Sequence, residues 1–173
     1  MREIQLPLSK ETISSLQAYD RVLLSGTLLV GRDQVHRLLV ELLDAGKSLP
    51  VSIEGETIYY MGPSDAPDGL PIGSCGPTTS ARMDPFTPTL MAAGLVASIG
   101  KGPRSQAVVD SIVRHRGLYL VAFGGCGALY AKTVRAKHVV ACEELGPEAM
   151  LRLEIDRFPA VVGIDCRGNS VFR

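Results

Sequence analysis

The chain has no surplus of charge of either sign: Lys plus Arg and Asp plus Glu each number 18. A balance of this kind supplies no general electrostatic attraction to nucleic acid or to an anionic membrane. Long apolar runs are missing too, and none approaches the roughly 20 residues that span a bilayer. Met1 leads into Arg-Glu and a polar, proline-containing stretch, not an apolar signal segment, so a cytoplasmic location is the expectation. Low-complexity tracts, internal repeats and linkers are absent. With 46% hydrophobic and 21% charged residues, the composition is that of a globular protein and excludes a disordered one. A length of 173 residues suits one domain, residues 1–173, with a real core and is short for two.

Paired cysteines are also lacking. Cys75, Cys126, Cys142 and Cys166 are separated by 51, 16 and 24 positions, and His36, His115 and His138 stand in no ligand spacing to them. No metal site is expected from this chain, neither zinc nor a self-contained iron–sulfur centre. The glycine pairs do not form Gly-x-Gly-x-x-Gly between a strand and a helix, which removes the dinucleotide fingerprint. Gly100-Lys101 has neither the glycine-rich lead nor the following Ser or Thr of a Walker loop.

What the chain does contain is Gly73-Ser-Cys-Gly-Pro-Thr-Thr-Ser-Ala-Arg-Met-Asp84, a polar stretch that can bury little. It follows residues 63–72, rich in proline and aspartate. Long connections with little regular structure are uncommon unless they carry function. Glycines and successive backbone N–H groups can also form an anion-binding nest.

Around this loop the pattern reads as α/β with a mixed sheet. Val35, Leu38, Leu39, Leu42 and Leu43 recur near a period of 3.6 and predict a helix over 32–46, with Gly46 closing it. Ser105–Arg116 predicts another, and Pro85–Gly94 a short one with Thr87 as its cap and Pro88 at its first position. Strands are predicted at 56–61, 95–102, 117–123 and 138–142. Ala18–Leu28 reads as a strand entering a glycine turn and leaving as another strand. Gly146–Ile155 and Phe158–Asp165 read as two separate strands, and such end pieces suggest added antiparallel pairing.

Arg32, Thr78 to Arg82, and Lys101 each follow core and stand beside glycine. If the strands align, Arg32, Arg82 and Lys101 converge at one sheet edge and form a pocket for a small polyanion. Arginine grips a carboxylate through two parallel hydrogen bonds, and lysine adds a point charge. Arginines brought together repel unless a dianion offsets them, which favours a dicarboxylate or phosphate. His36 shares a helix face with Arg32 and is either a structural histidine or an acid–base group. Asp33 and Asp84 each neighbour an arginine and read as orienting partners. No strong base and no electrophile is evident, so the constellation looks like half of a site.

The ordered set Gly31-Arg-Asp-x-x-His36, Gly46-Lys-x-Leu-Pro50, Ile58-Tyr-Tyr-x-Gly-Pro63, Gly76-Pro-Thr-Thr-Ser-Ala-Arg-Met-Asp84, Ile99-Gly-Lys-Gly102, Gly124-Gly-x-x-Ala128 and Phe158-Pro-Ala160 resembles the beta subunit, or C-terminal domain, of class I fumarases and L-tartrate dehydratases. The resemblance runs from about Ile4 to Phe172; Ala81 stands where that motif often has glycine. It implies a swivelling β/β/α domain that closes over substrate. It further implies an alpha-subunit partner, a heterotetramer with that partner or a homo-oligomer alone, and a 4Fe-4S cluster held by the alpha subunit and not by this chain. Cys75 alone could approach the cluster, without ligating it. Carried onto these positions, Arg32, Thr79, Arg82 and Lys101 bind substrate, while Thr78, Asp33 and His36 form the catalytic set, Thr78 as candidate base and Asp33 orienting Arg32. The implied activity is hydration of fumarate to (S)-malate; the alternatives are tartrate dehydration and a non-catalytic dicarboxylate-binding module.

Overall fold

A computed structural model describes residues 1–172. Its organising feature is a seven-stranded mixed sheet of order β1-β2-β3-β4-β5-β7-β6, in which β2 also pairs with β7. Strands β1 (Arg2–Gln5), β2 (Arg21–Val30), β3 (Thr57–Tyr59), β4 (Ala97–Gly100) and β5 (Leu118–Val121) are parallel neighbours. Strand β7 (Met150–Ile164) runs antiparallel to β2 and β5, and β6 (Val134–Ala141) antiparallel to β7. The β2–β7 ladder links the two ends of the β2-β3-β4-β5-β7 order, so those strands form a closed ring. This is the mixed α/β architecture of a swivelling β/β/α domain.

Two strand predictions need correction. The segment around Gly26 is one continuous strand, not two joined by a turn. Gly26 is a bulge at φ 120°, where the ladder to β7 shifts register. A Cβ there would lie 2.5 Å from the Leu6 carbonyl oxygen, so only glycine lets β2 bend past the end of β1. The two predicted C-terminal strands are likewise one, β7. Arg157 adopts φ 56° and kinks it without ending it, opposite the Gly26 bulge. Pro159 is tolerated because it falls between the stretch paired with β6 and the stretch paired with β5.

Both faces of β2 are covered. Leu28 belongs to the ring's inner cluster with Tyr59, Ile99, Leu120 and Phe158. Leu29, its neighbour, packs with Val35 and Leu39 of helix α2 (Asp33–Asp44) and with Ile58, Tyr60, Met83 and Leu90. Burial on both faces is why Leu28-Leu29-Val30 reads as a continuous apolar run. Inside, Phe158 stacks on Tyr130 at 4.5 Å and meets Tyr59 edge-on at 5.2 Å.

Helix α1 (Lys10–Ser15) starts at Ser9, whose side chain accepts from the Thr12 N–H. Helix α2 ends as predicted, through Gly46 at φ 67°. Helix α3 (Thr87–Ala92) begins one residue earlier than predicted: Thr87, the predicted cap, lies inside its first turn, and the cap position is Phe86. The Thr87 hydroxyl instead donates to the Met83 carbonyl at 2.9 Å. Helix α4 (Gln106–His115) is capped by Ser105, and α5 (Gly127–Ala131) follows β5. Among the described residues, no helix is long and apolar enough to cross a membrane.

Replacing Gly26 by Ala forces a Cβ against the Leu6 carbonyl in a backbone conformation that disfavours side chains. A loss of about 1–3 kcal/mol in unfolding free energy is expected. Chemical denaturation of the two proteins measures it, and equal midpoints would contradict the bulge assignment.

Candidate functional site

Strands β2, β3, β4 and β5 all deliver their carboxyl ends to the same edge of the sheet. In parallel α/β sheets, whether open or closed into a ring, that edge is where ligands bind, because the loops leaving it present side chains without competing for core. Here Arg32 leaves β2, Gly62 follows β3, Lys101 follows β4, and Gly124 follows β5.

The polar loop crosses this edge and is pinned there by backbone. Thr78 donates its N–H to the Tyr60 carbonyl at 2.7 Å, Thr79 bridges to Lys101, and the Ser80 N–H donates to the Lys101 carbonyl at 2.9 Å. A 3-10 turn over Ser80–Met83 then points Arg82 outward. Thr78 is half-buried and Thr79 exposed. Sequence reasoning expected Arg32, Arg82 and Lys101 at one edge, and the fold places them on neighbouring loops there.

Glycines form the floor. A Cβ on Gly62 would overlap the Arg32 guanidinium, and one on Gly124 would sit 3.6 Å from Lys101 Nζ. A Cβ on Gly100 would overlap the Ser80 hydroxyl, so this glycine lets the loop lie flat on β4. Close approach, not turn formation, explains Gly62 and Gly100.

Asp33 was expected to orient Arg32. Instead it grips Arg82, accepting from Nε at 3.1 Å and from Nη2 at 2.7 Å. Its position in the first turn of α2 turns its carboxylate toward the loop, away from the preceding residue. This side-on grip leaves the other edge of the guanidinium available to a ligand. The pair is largely exposed and is worth about 0–1 kcal/mol in stability, so its effect is orientation. Arg32 has Glu148 as its carboxylate neighbour at 3.8 Å, with Gln34 donating to the same carboxylate at 2.5 Å. The Arg32 Nε is buried and has no hydrogen-bond partner. Among the described residues, no carboxylate lies within 4.0 Å of Lys101. Sequence reasoning missed Glu148, which follows a Gly-Pro turn and carried no periodic signal.

His36 faces the interior. It is fully buried, its Nδ1 lies 2.7 Å from the Arg32 carbonyl oxygen, and its ring meets Tyr60 edge-on at 5.2 Å. Burial pushes its pKa down to about 4, opposed by the hydrogen bond to Arg32. The neutral imidazole therefore donates from Nδ1, and its buried Nε2 has no partner.

A second missed residue, Arg104, lies beneath the loop. Its side chain is wholly buried, and its Nε donates to Asp84 at 2.6 Å. Further donations go to Ser98 at 3.0 Å, Thr87 at 2.8 Å and Tyr60 at 3.3 Å. Its guanidinium lies 5.3 Å from the Tyr60 ring centre and 4.9 Å from that of Tyr119. Removing one member of such a buried pair costs about 3–5 kcal/mol. Only its position in Gly102-Pro-Arg104, just before a helix cap, hints at it in the sequence.

Among the described residues, no group of three or more His, Cys, Asp or Glu could hold a metal ion. Cys75 is not set up as a ligand of a 4Fe-4S cluster. Cys75 is fully buried, its thiol faces the Gly127 carbonyl, and burial pushes its pKa up to about 12. That is the reverse of the thiolate a cluster requires.

The family model for the fumarase C-terminus matches residues 1–173. The chain belongs to that family. It is 42% identical to the anaerobic class I fumarate hydratase of Escherichia coli, over all of this chain and 31% of that protein. With fumarate hydratase 1, mitochondrial, of Leishmania major it shares 38% identity over 99% of this chain and 31% of the relative. A putative L(+)-tartrate dehydratase subunit beta of Methanocaldococcus jannaschii is 35% identical, over 95% of this chain and 88% of the relative. The chain thus spans about a third of the fumarate hydratases it matches.

The His36 environment makes stability depend on pH. Its folded pKa, about 4, lies below the ordinary value of 6.5, so between those limits the unfolded chain takes a proton that the folded chain refuses. Stability therefore falls as pH drops from 6.5 toward 4. His36→Gln should remove a component on the order of 3 kcal/mol from that fall. Parallel denaturant titrations at pH 7 and pH 4 measure it; an identical pH response in both proteins would refute the assignment.

Proposed function

We propose that this chain is the beta subunit of an iron–sulfur-dependent hydro-lyase that reversibly hydrates fumarate to (S)-malate. The observation that carries the reading is the convergence of Arg32, Arg82 and Lys101 on the carboxyl edge, under a loop bearing Thr78 and Thr79. Such a set suits the ends of a short dianion, since each carboxylate can be held by a fork or a point charge. The absence of an obvious electrophile among these groups fits a shared site completed by an alpha subunit. The relative named subunit beta, matched over 88% of its length, supports a domain of this kind acting as a separate chain.

In this reading Arg32, Arg82 and Lys101 bind the carboxylates, and Thr79 adds a hydrogen bond. Asp33 fixes the direction of Arg82. Thr78 Oγ1, having first released its own proton to water, takes the proton from the carbon next to the hydroxyl-bearing one in the dehydration direction and returns to the neutral hydroxyl. A threonine hydroxyl is a poor base in water, and the neighbouring cations lower the energy of its deprotonated form. The hydrogen bond from its own N–H to Tyr60 holds it in place for that task. A 4Fe-4S cluster held by the alpha subunit would act as Lewis acid toward the departing hydroxyl. His36, sealed from the edge, serves by holding the Arg32 backbone and not by proton transfer. Closure over substrate shields the charges from water and strengthens each contact.

Tartrate differs from malate by one hydroxyl, and a single polar contact separates the two substrates. The tartrate dehydratase relative keeps L-tartrate as the second reading. Anaerobic co-expression with a cysteine-bearing alpha subunit, followed by assays on fumarate, malate and tartrate, decides between them. Activity of this chain alone, free of iron, at an enzymatic rate would overturn both. Thr78→Ala should lower turnover by about 100-fold or more while the complex still assembles, because a positioned base contributes at least that much. Unchanged turnover would remove Thr78 from the base role.

A further inference from the structure

We propose that Arg104 is a positioning residue that sets the spacing of the dicarboxylate-binding groups from behind; for substrate the proposal rests on the hydro-lyase reading above. Its guanidinium touches no exposed surface, yet its contacts reach the elements that present the site. Through Asp84 it holds the end of the polar loop, immediately after the turn that carries Arg82. The second oxygen of Asp84 accepts from the Ser105 N–H at 2.6 Å, which ties the loop to the start of α4.

Through Thr87, Arg104 reaches the same turn again. The Thr87 hydroxyl donates to the Met83 carbonyl, and its oxygen accepts from Arg104 at 2.8 Å. Arg104 also donates to Tyr60 Oη, and Tyr60 supplies the carbonyl that holds Thr78. The Tyr60 ring packs on His36, whose imidazole holds the Arg32 carbonyl. On the other side the Arg104 guanidinium lies over Tyr119, whose hydroxyl donates to the Gly102 carbonyl at 2.8 Å and meets the Ser80 hydroxyl at 2.9 Å. Gly102 is the residue after Lys101, and Ser80 lies between Thr79 and Arg82.

One buried fork thus connects the supports of Arg32, Thr78, Arg82 and Lys101. A planar group with five donors meets all these acceptors at once; a lysine ammonium cannot. Because a dianion must be met at both ends, an error in the spacing of these supports weakens substrate binding in addition to any loss of stability.

The test uses the anaerobically assembled complex with its alpha subunit, carrying Arg104→Lys or, separately, Asp84→Asn. Two quantities are read: hydrogen exchange at the Thr78 and Ser80 amides against those of Leu24 and Leu28 in β2, and KM and kcat for malate. The expected result is exchange about 10-fold faster at Thr78 and Ser80 with β2 unchanged, and KM raised about 10-fold at a temperature where both proteins remain folded. Equal loss of protection throughout, or a lower kcat that tracks the folded fraction with KM unchanged, would overturn the proposal. If Arg104→Lys yields no soluble complex, Asp84→Asn and Ser98→Ala carry the same comparison. Should the wild-type complex turn over no four-carbon dicarboxylate, the hydro-lyase reading fails. Exchange alone then decides: selective acceleration keeps Arg104 as the loop's anchor, and uniform or absent acceleration removes it.

Discussion

The antiparallel ladder between β2 and β7 is the constraint on which the other features depend. It runs from Arg21 paired with Val161 to Val30 paired with Leu151 and joins the two ends of the β2-β3-β4-β5-β7 order. With that ladder in place, β3, β4 and β5 are held between two long strands, and their carboxyl ends emerge together. Loops leaving those ends carry Arg32, Lys101 and the floor glycines. The ladder survives two irregularities, Gly26 and Arg157, because they face each other and bend both strands together.

At the edge itself, the chain gains proximity by giving up side chains. Gly62 makes room for the Arg32 guanidinium and Gly100 for Ser80. Each glycine lowers the intrinsic order of its segment, a cost on the order of 0.5–1 kcal/mol against alanine in regular structure. The return is that the Arg32 guanidinium lies directly against Gly62 and the Ser80 hydroxyl directly against Gly100. Arg32, Arg82 and Lys101 are like charges on neighbouring loops, and Asp33 and Glu148 offset part of that charge. In the proposed function a bound dianion would offset the rest.

The site has two layers of different energetic character. Outward, Arg82 and Asp33 form an exposed pair of small stabilising value, free to adjust as a ligand arrives. Inward, Arg104, Asp84, Tyr60, Tyr119, Thr87 and Ser80 form a buried polar network with its members paired to one another. Low polarity around such a network strengthens its bonds and makes a missing partner costly. His36 joins the layers as a neutral group bonded to the Arg32 carbonyl, and its protonation would place an unpaired charge in the core.

The sequence by itself determined the elements whose signals are local. Val35 and Leu39 at helical spacing with Gly46 beyond marked α2, and Ser105 before an apolar-periodic run marked α4. The polar loop of 73–84 and its flanking glycines announced a site, and its motif order pointed to the family. Only the tertiary structure decided that Gly26 and Arg157 bend strands instead of ending them, since positive φ looks the same in a turn and in a bulge. It alone decided that Asp33 serves Arg82, 49 positions away, and not its neighbour Arg32. It also decided that His36 and Arg104 face inward. The physical reason is common to these cases: hydrogen-bond partners and burial are set by which strands lie side by side, and no window of local sequence contains both partners.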